Sequence, residues 1–147
     1  MVRTVAVGTD GSDRAAKAVE FAIDMAKRYG AKLVAISSYH PVSESRLRKE
    51  QEDAPQEIQW SLNPSEDVEA ILSSVESRAL EAGLEVTTVA SQGQPADVLV
   101  KHAEEQAADV LVVGNRGMRR RVLGSVPNSV THNARCTVVV VKTDEGS

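Results

Sequence analysis

Aromatic side chains are scarce in this chain of 147 residues: one Trp, two Tyr and one Phe. A core built on stacked rings is excluded, so the interior has to come from Val, Leu, Ile and Ala. The single cysteine, Cys136, rules out an intrachain disulfide, which suits a reducing cytoplasm. Cys136 opens the apolar run "CTVVVVK" and reads as a buried, inert thiol. No apolar stretch approaches the ~18 residues of a membrane-spanning helix. The opening "MVRTVAVGTDGS" has neither a long apolar segment nor a cleavage-site pattern, so no secretory signal is expected. There is no excess of basic charge: the net charge is −4. That balance argues against nucleic acid or a membrane surface as the main partner. The three histidines, His40, His102 and His132, lie far apart, and no pair has metal-ligand spacing. His102 and His132 fall on predicted helices and are expected on exposed faces. No Ser-His-Asp or Cys-His spacing points to a nucleophilic centre.

What is present is the ordinary make-up of a globular chain, with 41% hydrophobic and 26% charged residues,. The length suits one domain over residues 1–147, and residues 143–147 are expected to fray. The apolar pattern alternates between two periods. "TVAVG" (Thr4 to Gly8) is a continuous apolar run, as in a buried strand. After it, Val19, Ala22, Ile23 and Ala26 recur at helical spacing. Ser12 is a suitable N-cap for that helix and Gly30 a suitable C-cap. "KLVAIS" is a second strand. His40 to Asn63 is polar, weakly patterned and read as a long loop. Its Trp60 is an anchor, a lid or a dimer contact. "SEDVEAILSSVESRALEAG" is a helix through Val68, Ile71, Leu72, Val75 and Ala79, with Asn63 or Ser65 as cap and Pro64 at its start. "LEVTTVAS" alternates only partly, as a strand near a sheet edge would. "QPADVLVKHAEEQAAD" is a helix through Ala96, Leu99, Val100, Ala103 and Ala107. "VLVVG", "SVPNSVTHNA" and "CTVVVVK" read as strand, short helix and strand. The order β-α-β-loop-α-β-α-β-α-β predicts a mostly parallel sheet with helices on both faces.

In such sheets ligands bind beyond the carboxyl ends of the strands, where the winding reverses. Two loops qualify. The first, "VGTDGS", holds Gly8, Thr9, Asp10, Gly11 and Ser12. Asp10 is either a ligand for a phosphate-bridging Mg²⁺ or a ribose hydroxyl, or else a turn aspartate. Thr9 and Ser12 read as turn and cap groups rather than nucleophiles. The second, "VVGNRGMRRRVLGS", carries Gly114, Gly117 and Gly124 with four arginines. Glycines let a backbone approach a phosphate, and the N-terminus of the following helix favours an anion. The plainer reading is a tight turn and a helix cap. The stretch is not a Walker A loop, because it lacks the Gly-Lys-Ser/Thr ending.

Taken together, "VAVGTDGS", "SQGQPADVLVKHAEEQAADVLVVGNRG" and "LGSVPNSVTHNARCTVVVVK" resemble the universal stress protein family over essentially the whole chain. The resemblance implies an adenine-nucleotide alpha-hydrolase-like fold, with a five-stranded sheet of order 3-2-1-4-5. It implies a homodimer made through the last strand, about Thr137 to Lys142. It also implies a ligand, ATP or cyclic AMP, although some members bind no nucleotide. The family's ATP pattern is Gly-x₂-Gly-x₉-Gly-Ser/Thr. Carried over, it sets Asp10 at phosphate or at a Mg²⁺ ion held through phosphates, with Gly8 and Thr9 also in the nucleotide site. It sets the backbone near Ser38 at adenine and Gly93 near base and ribose. Gly114 and Gly117 come near the ribose and phosphates and Gly124 and Ser125 to the phosphates, with Asn115, Arg116 and Val126 also in the nucleotide site.

The chain departs from that pattern in one place. Six residues, Met118 to Leu123, separate Gly117 from Gly124 where the pattern has nine. Either Arg119, Arg120 and Arg121 make up the lost reach by charge, or they form a solvated rim or a dimer contact. The expected function is adenine-nucleotide binding as a stress-response sensor or buffer in the cytoplasm. The alternatives are a dimeric interaction module without nucleotide and a slow ATPase.

Overall fold

The computed structural model describes residues 1–39, 65–115 and 123–142. The predicted loop 40–63 with His40 and Trp60, the segment 116–122 and the tail 143–147 lie outside the described residues.

β1 (Thr4–Gly8) is buried at every position, as a central strand covered on both faces must be. α1 (Asp13–Tyr29) follows directly, and its N-cap is Ser12, whose hydroxyl accepts from the Ala15 N–H at 3.1 Å. Its buried stripe is Ala15, Ala18, Val19, Ala22 and Ala26. Four small residues in that stripe let the helix lie close to the sheet. The chain then forms β2 (Lys32–Tyr39), α2 (Ser65–Glu81), β3 (Val86–Gln92), α3 (Pro95–Glu105), β4 (Val110–Asn115), α4 (Ser125–Asn133) and β5 (Thr137–Lys142).

The five strands are all parallel and lie in the order β3-β2-β1-β4-β5. The odd residues Val5 and Val7 of β1 join Leu33, Ala35, Val110 and Val112 beneath α1 and α2. The even residue Ala6 joins Val34, Ile36, Leu111 and Val113 beneath α3 and α4, against Val98, Leu99, Ala103 and Val130. The period of two thus divides the core into two layers, one on each face. The expected position of the "LEVTTVAS" strand also holds: β3 is an edge strand with alternating burial. No helix among the described residues is long and apolar enough to cross a membrane.

Three helices end with the same turn. After α1 the Ala31 N–H reaches back to the Ala26 carbonyl, with Gly30 left-handed at φ 65°. After α2, Leu84 reaches Ala79 across Gly83 at φ 80°. After α3, Ala108 reaches Ala103 across residue 107. These are Schellman closures, which need a left-handed residue and favour glycine. The third has Ala107 at φ 54°. Periodicity alone carries α3 on through Ala107. In the structure the helix stops at Glu105, because Ala107 supplies the left-handed turn instead. The ends of the strands shift as well. β2 runs two residues past "KLVAIS", and β5 begins at Thr137 rather than Cys136. Cys136 is half-buried, and burial pushes its thiol up from the ordinary value.

Asp109 ties the start of β4 to the start of β1. Its Oδ2 accepts from the Arg3 N–H at 2.8 Å and the Thr4 N–H at 3.0 Å. Its own N–H donates to the Thr4 carbonyl at 2.9 Å. The Arg3 N–H first, and then that of Thr4, hold the carboxyl below its ordinary value of 3.8,.

Two outcomes follow for stability. Ala107→Gly relieves a left-handed alanine and should raise stability by about 0.5–1 kcal/mol, read as a higher thermal midpoint; an unchanged or lower midpoint would contradict the closure. Asp109 is lowered in the folded state, so its contribution is present above the ordinary carboxylate value and is lost as pH falls through the folded one. Asp109→Ala should therefore lower the midpoint at neutral pH, and the gap to wild type should narrow in strong acid. A gap of constant size across that range would assign the effect to something other than the carboxylate.

Candidate functional site

The sheet order places β1 and β4 side by side although one leads into α1 and the other towards α4. Their connections leave on opposite faces and open a crevice beyond the strand ends. The loop after β1 forms one lip. The Thr9 N–H donates to the Ile36 carbonyl at 3.0 Å, extending the sheet contact one residue past β1. Thr9 Oγ1 accepts from the Gly11 N–H at 3.2 Å, and Asp10 Oδ1 accepts from the Ser12 N–H at 2.9 Å. The Asp10 carboxylate thus supports the turn that leads into the Ser12 cap, and it is half-buried there.

The carboxyl end of β2 stands beside this loop. Gly8 pairs with Ile36, so β2 continues past the end of β1 through Ser37 and Ser38 to Tyr39. Ser37 is fully buried and donates its hydroxyl to the Thr9 carbonyl at 2.6 Å. Ser38 is 1% exposed, and its Oγ has no hydrogen-bond partner among the described residues. The Ile36 carbonyl points towards β1. By the two-residue period of a strand, the backbone groups of Ser38 point the same way, beyond the end of β1. Gly93, just after β3, donates its N–H to the Tyr39 carbonyl at 3.3 Å and has φ 141°.

The other lip comes from β4 and α4. Gly114 and Asn115 end β4, paired with Val141 and Lys142 of β5. Asn115 is fully buried, and its Oδ1 accepts from the Gly124 N–H at 2.9 Å. Gly124 is the N-cap of α4, and its carbonyl accepts from the Asn128 N–H. Ser125 is exposed and Val126 half-buried at the first turn. Arg116, Gly117 and the arginines of the loop lie outside the described residues. The Gly124 amide is thus bound by a side chain of the protein.

The glycines of the site separate by cause. A Cβ on Gly8 would come within 2.7 Å of both terminal methyls of Leu99, which is itself 1% exposed. Gly11 has φ 80°, and a Cβ there would meet Ile71 at 2.6 Å. A Cβ on Gly93 would meet Val98 at 3.2 Å. Packing or backbone therefore requires a glycine at these three. At Gly124 φ is −65°, and a Cβ would make only ordinary contacts at 3.6–3.8 Å. Nothing in the described fold demands a glycine at 124.

Of the histidines, His132 is exposed as expected. His102 is not: its side chain is 16% exposed, with Nδ1 3.2 Å from Glu105 and Nε2 buried without a partner among the described residues. It lies between Leu99 and Ala103 at helical spacing, so the edge of the apolar stripe covers it. Among the described residues no three His, Cys, Asp or Glu side chains come together as a metal site. Sequence reasoning did not single out Ser37. The available signal was a Ser-Ser pair closing an apolar strand, since buried hydroxyls in a sheet must find partners.

The sequence pattern of the universal stress protein family matches residues 1–142. The chain belongs to that family. A universal stress protein of Mycobacterium tuberculosis (strain H37Rv) is 37% identical over 145 residues, covering 96% of this chain and 97% of that protein. One from Methanocaldococcus jannaschii is 34% identical over 148 residues, covering 97% and 83%. Among solved structures, a universal stress protein in complex with cAMP is 36% identical, with TM-score 0.72. That match covers 97% of this chain and 98% of the other.

The sorting of glycines predicts opposite behaviour at two positions. Gly8→Ala should lower stability by about 1–3 kcal/mol through overpacking against Leu99. Gly124→Ala should change it by no more than about 1 kcal/mol, the range of an N-cap exchange. Denaturant unfolding of both variants decides it, and equal losses would refute the distinction.

Proposed function

We propose that this family member binds an adenine nucleotide, ATP or cyclic AMP, in the crevice between β1 and β4, as a cytoplasmic stress-response sensor or buffer. The observation that carries the reading is the match to a universal stress protein in complex with cAMP, at 36% identity over nearly the whole of both chains. Two features of the crevice support it. A buried hydroxyl, Ser38 Oγ, stands without a partner among the described residues at the end of β2, and such groups call for a ligand or water. Gly124 leaves open a space that a Cβ would fill, at a helix N-terminus.

In this reading the outward backbone of Ser38 meets the base, and its hydroxyl adds a hydrogen bond to base or ribose. Gly93 and Gly114 allow close approach near the ribose. Gly8, Thr9 and Asp10 form the floor on the β1 side. Asn115, Gly124, Ser125 and Val126 set the phosphate end, where the dipole of α4 favours negative charge. The family resemblance assigns Arg116 and Gly117, which lie outside the described residues, to the same end. Asp10 is the one carboxylate on the β1 lip. It fits a Mg²⁺ ion held jointly with phosphates, and such an ion would neutralise phosphate charge.

The same reading includes a homodimer through β5. Its inner positions Val138 to Val141 are only half-buried, and its outer edge has no neighbouring strand among the described residues. An apolar edge of this kind is a template for pairing.

The test is calorimetric titration of nucleotide-stripped protein with cyclic AMP and with ATP–Mg²⁺, alongside sedimentation of the same sample. Micromolar binding of either ligand is expected, with a dimer in sedimentation. Ser38→Ala should bind about three- to tenfold more weakly, the worth of one hydrogen bond. Its thermal midpoint should not fall, because an unpaired hydroxyl has been removed. Silence with both ligands in the wild type would overturn the nucleotide reading, and a monomer would overturn the β5 pairing.

A further inference from the structure

We infer that Asn115 is the positioning residue of the phosphate end of the crevice, fixing the start of α4 by clasping the Gly124 amide. The inference rests on the nucleotide reading above. The clasp spans nine positions in sequence, from the last residue of β4 to the N-cap of α4, with 2.9 Å between Oδ1 and N. Both ends of it are held by the fold. Asn115 is fully buried and in register with Lys142 of β5. Gly124 is held on its other side by the first hydrogen bond of α4, from Asn128. The carboxamide therefore sets the helix start relative to the sheet, whatever path residues 116–122 take between them.

The clasp has a second consequence. A helix N-terminus ordinarily offers several backbone N–H groups to an anion. Here the Gly124 N–H is committed to Asn115, and Pro127 has none to give,. Neither of these is open to an anion, so what α4 offers a phosphate is its dipole and its placement, and the placement relative to the β1 lip is what Asn115 sets. Affinity for the phosphate depends on Asn115, whereas affinity for the nucleoside, held at the other end of the crevice, does not.

The experiment compares adenosine with cyclic AMP, titrated into wild type, Asn115→Ala and Asn115→Asp. In Asn115→Ala, adenosine should bind within twofold of wild type, while cyclic AMP should weaken about tenfold or more. Asn115→Asp keeps an oxygen acceptor for Gly124 but adds negative charge, so cyclic AMP should weaken at least as much while adenosine again holds. Amide exchange of Gly124 by NMR reads the clasp without any ligand. It should be slow in wild type and in Asn115→Asp and fast in Asn115→Ala. Equal weakening of adenosine and cyclic AMP would make Asn115 a packing residue and overturn the inference, as would fast exchange of Gly124 in wild type. The wild-type exchange measurement stands even where a variant fails to fold. Failure of the nucleotide reading shows separately, as absence of cyclic AMP and ATP binding in the wild type.

Discussion

β1 has two parallel neighbours, and everything else in the structure is arranged around that fact. Parallel strands cannot be joined by tight turns, so each connection has to cross a face of the sheet. With β2 on one side and β4 on the other, the crossings go over opposite faces, and the core splits into the Val5–Val7 layer and the Ala6 layer. The crevice is the remainder of the same geometry: at the ends of β1 and β4 the chain leaves in two directions, and the fork lies between them. The Asp109 carboxylate, bound to the Arg3 and Thr4 amides, fixes that pair at the opposite end.

Much of this was legible from residue order. Continuous apolar runs marked the buried strands, and the partial alternation of "LEVTTVAS" marked β3 as an edge. Ser12 and Gly30 sit at the two ends of α1 as the capping preferences require. Propensity failed where a closure overrode it. Ala107 keeps the helical spacing, but a left-handed turn at that residue ends the helix. His102 is expected on an exposed helix face, yet its neighbours Leu99 and Ala103 belong to the core. Position at the rim of an apolar stripe outweighed the chemistry of the ring.

The site was legible as a place rather than as a set of contacts. Gly8, Asp10, Ser38, Gly93, Asn115 and Gly124 all fall at the carboxyl ends of strands or at the start of α4, where the topology opens the crevice. What spacing could not separate was why each glycine is there. Gly8 answers to Leu99 and Gly11 to Ile71 and a positive φ, whereas Gly124 answers to nothing in the described fold. That difference depends on contacts between residues more than 50 positions apart, which no local pattern records. Asp10 also acquired a definite local duty, as the turn aspartate that supports the start of α1.

The Asp109 contact to β1 joins residues 105 and 106 positions apart, and that separation has a temporal meaning. On a ribosome adding about 5–20 residues per second, β1 emerges roughly 5–20 s before the strand that will flank it. Through that interval β1 and β2 can pair with each other, but the other edge of β1 stays open. An unpaired apolar edge invites wrong partners, and non-local parallel pairing is slow to form. The middle of the sheet, its best-protected part once complete, is thus among the last parts of the newborn chain to be enclosed.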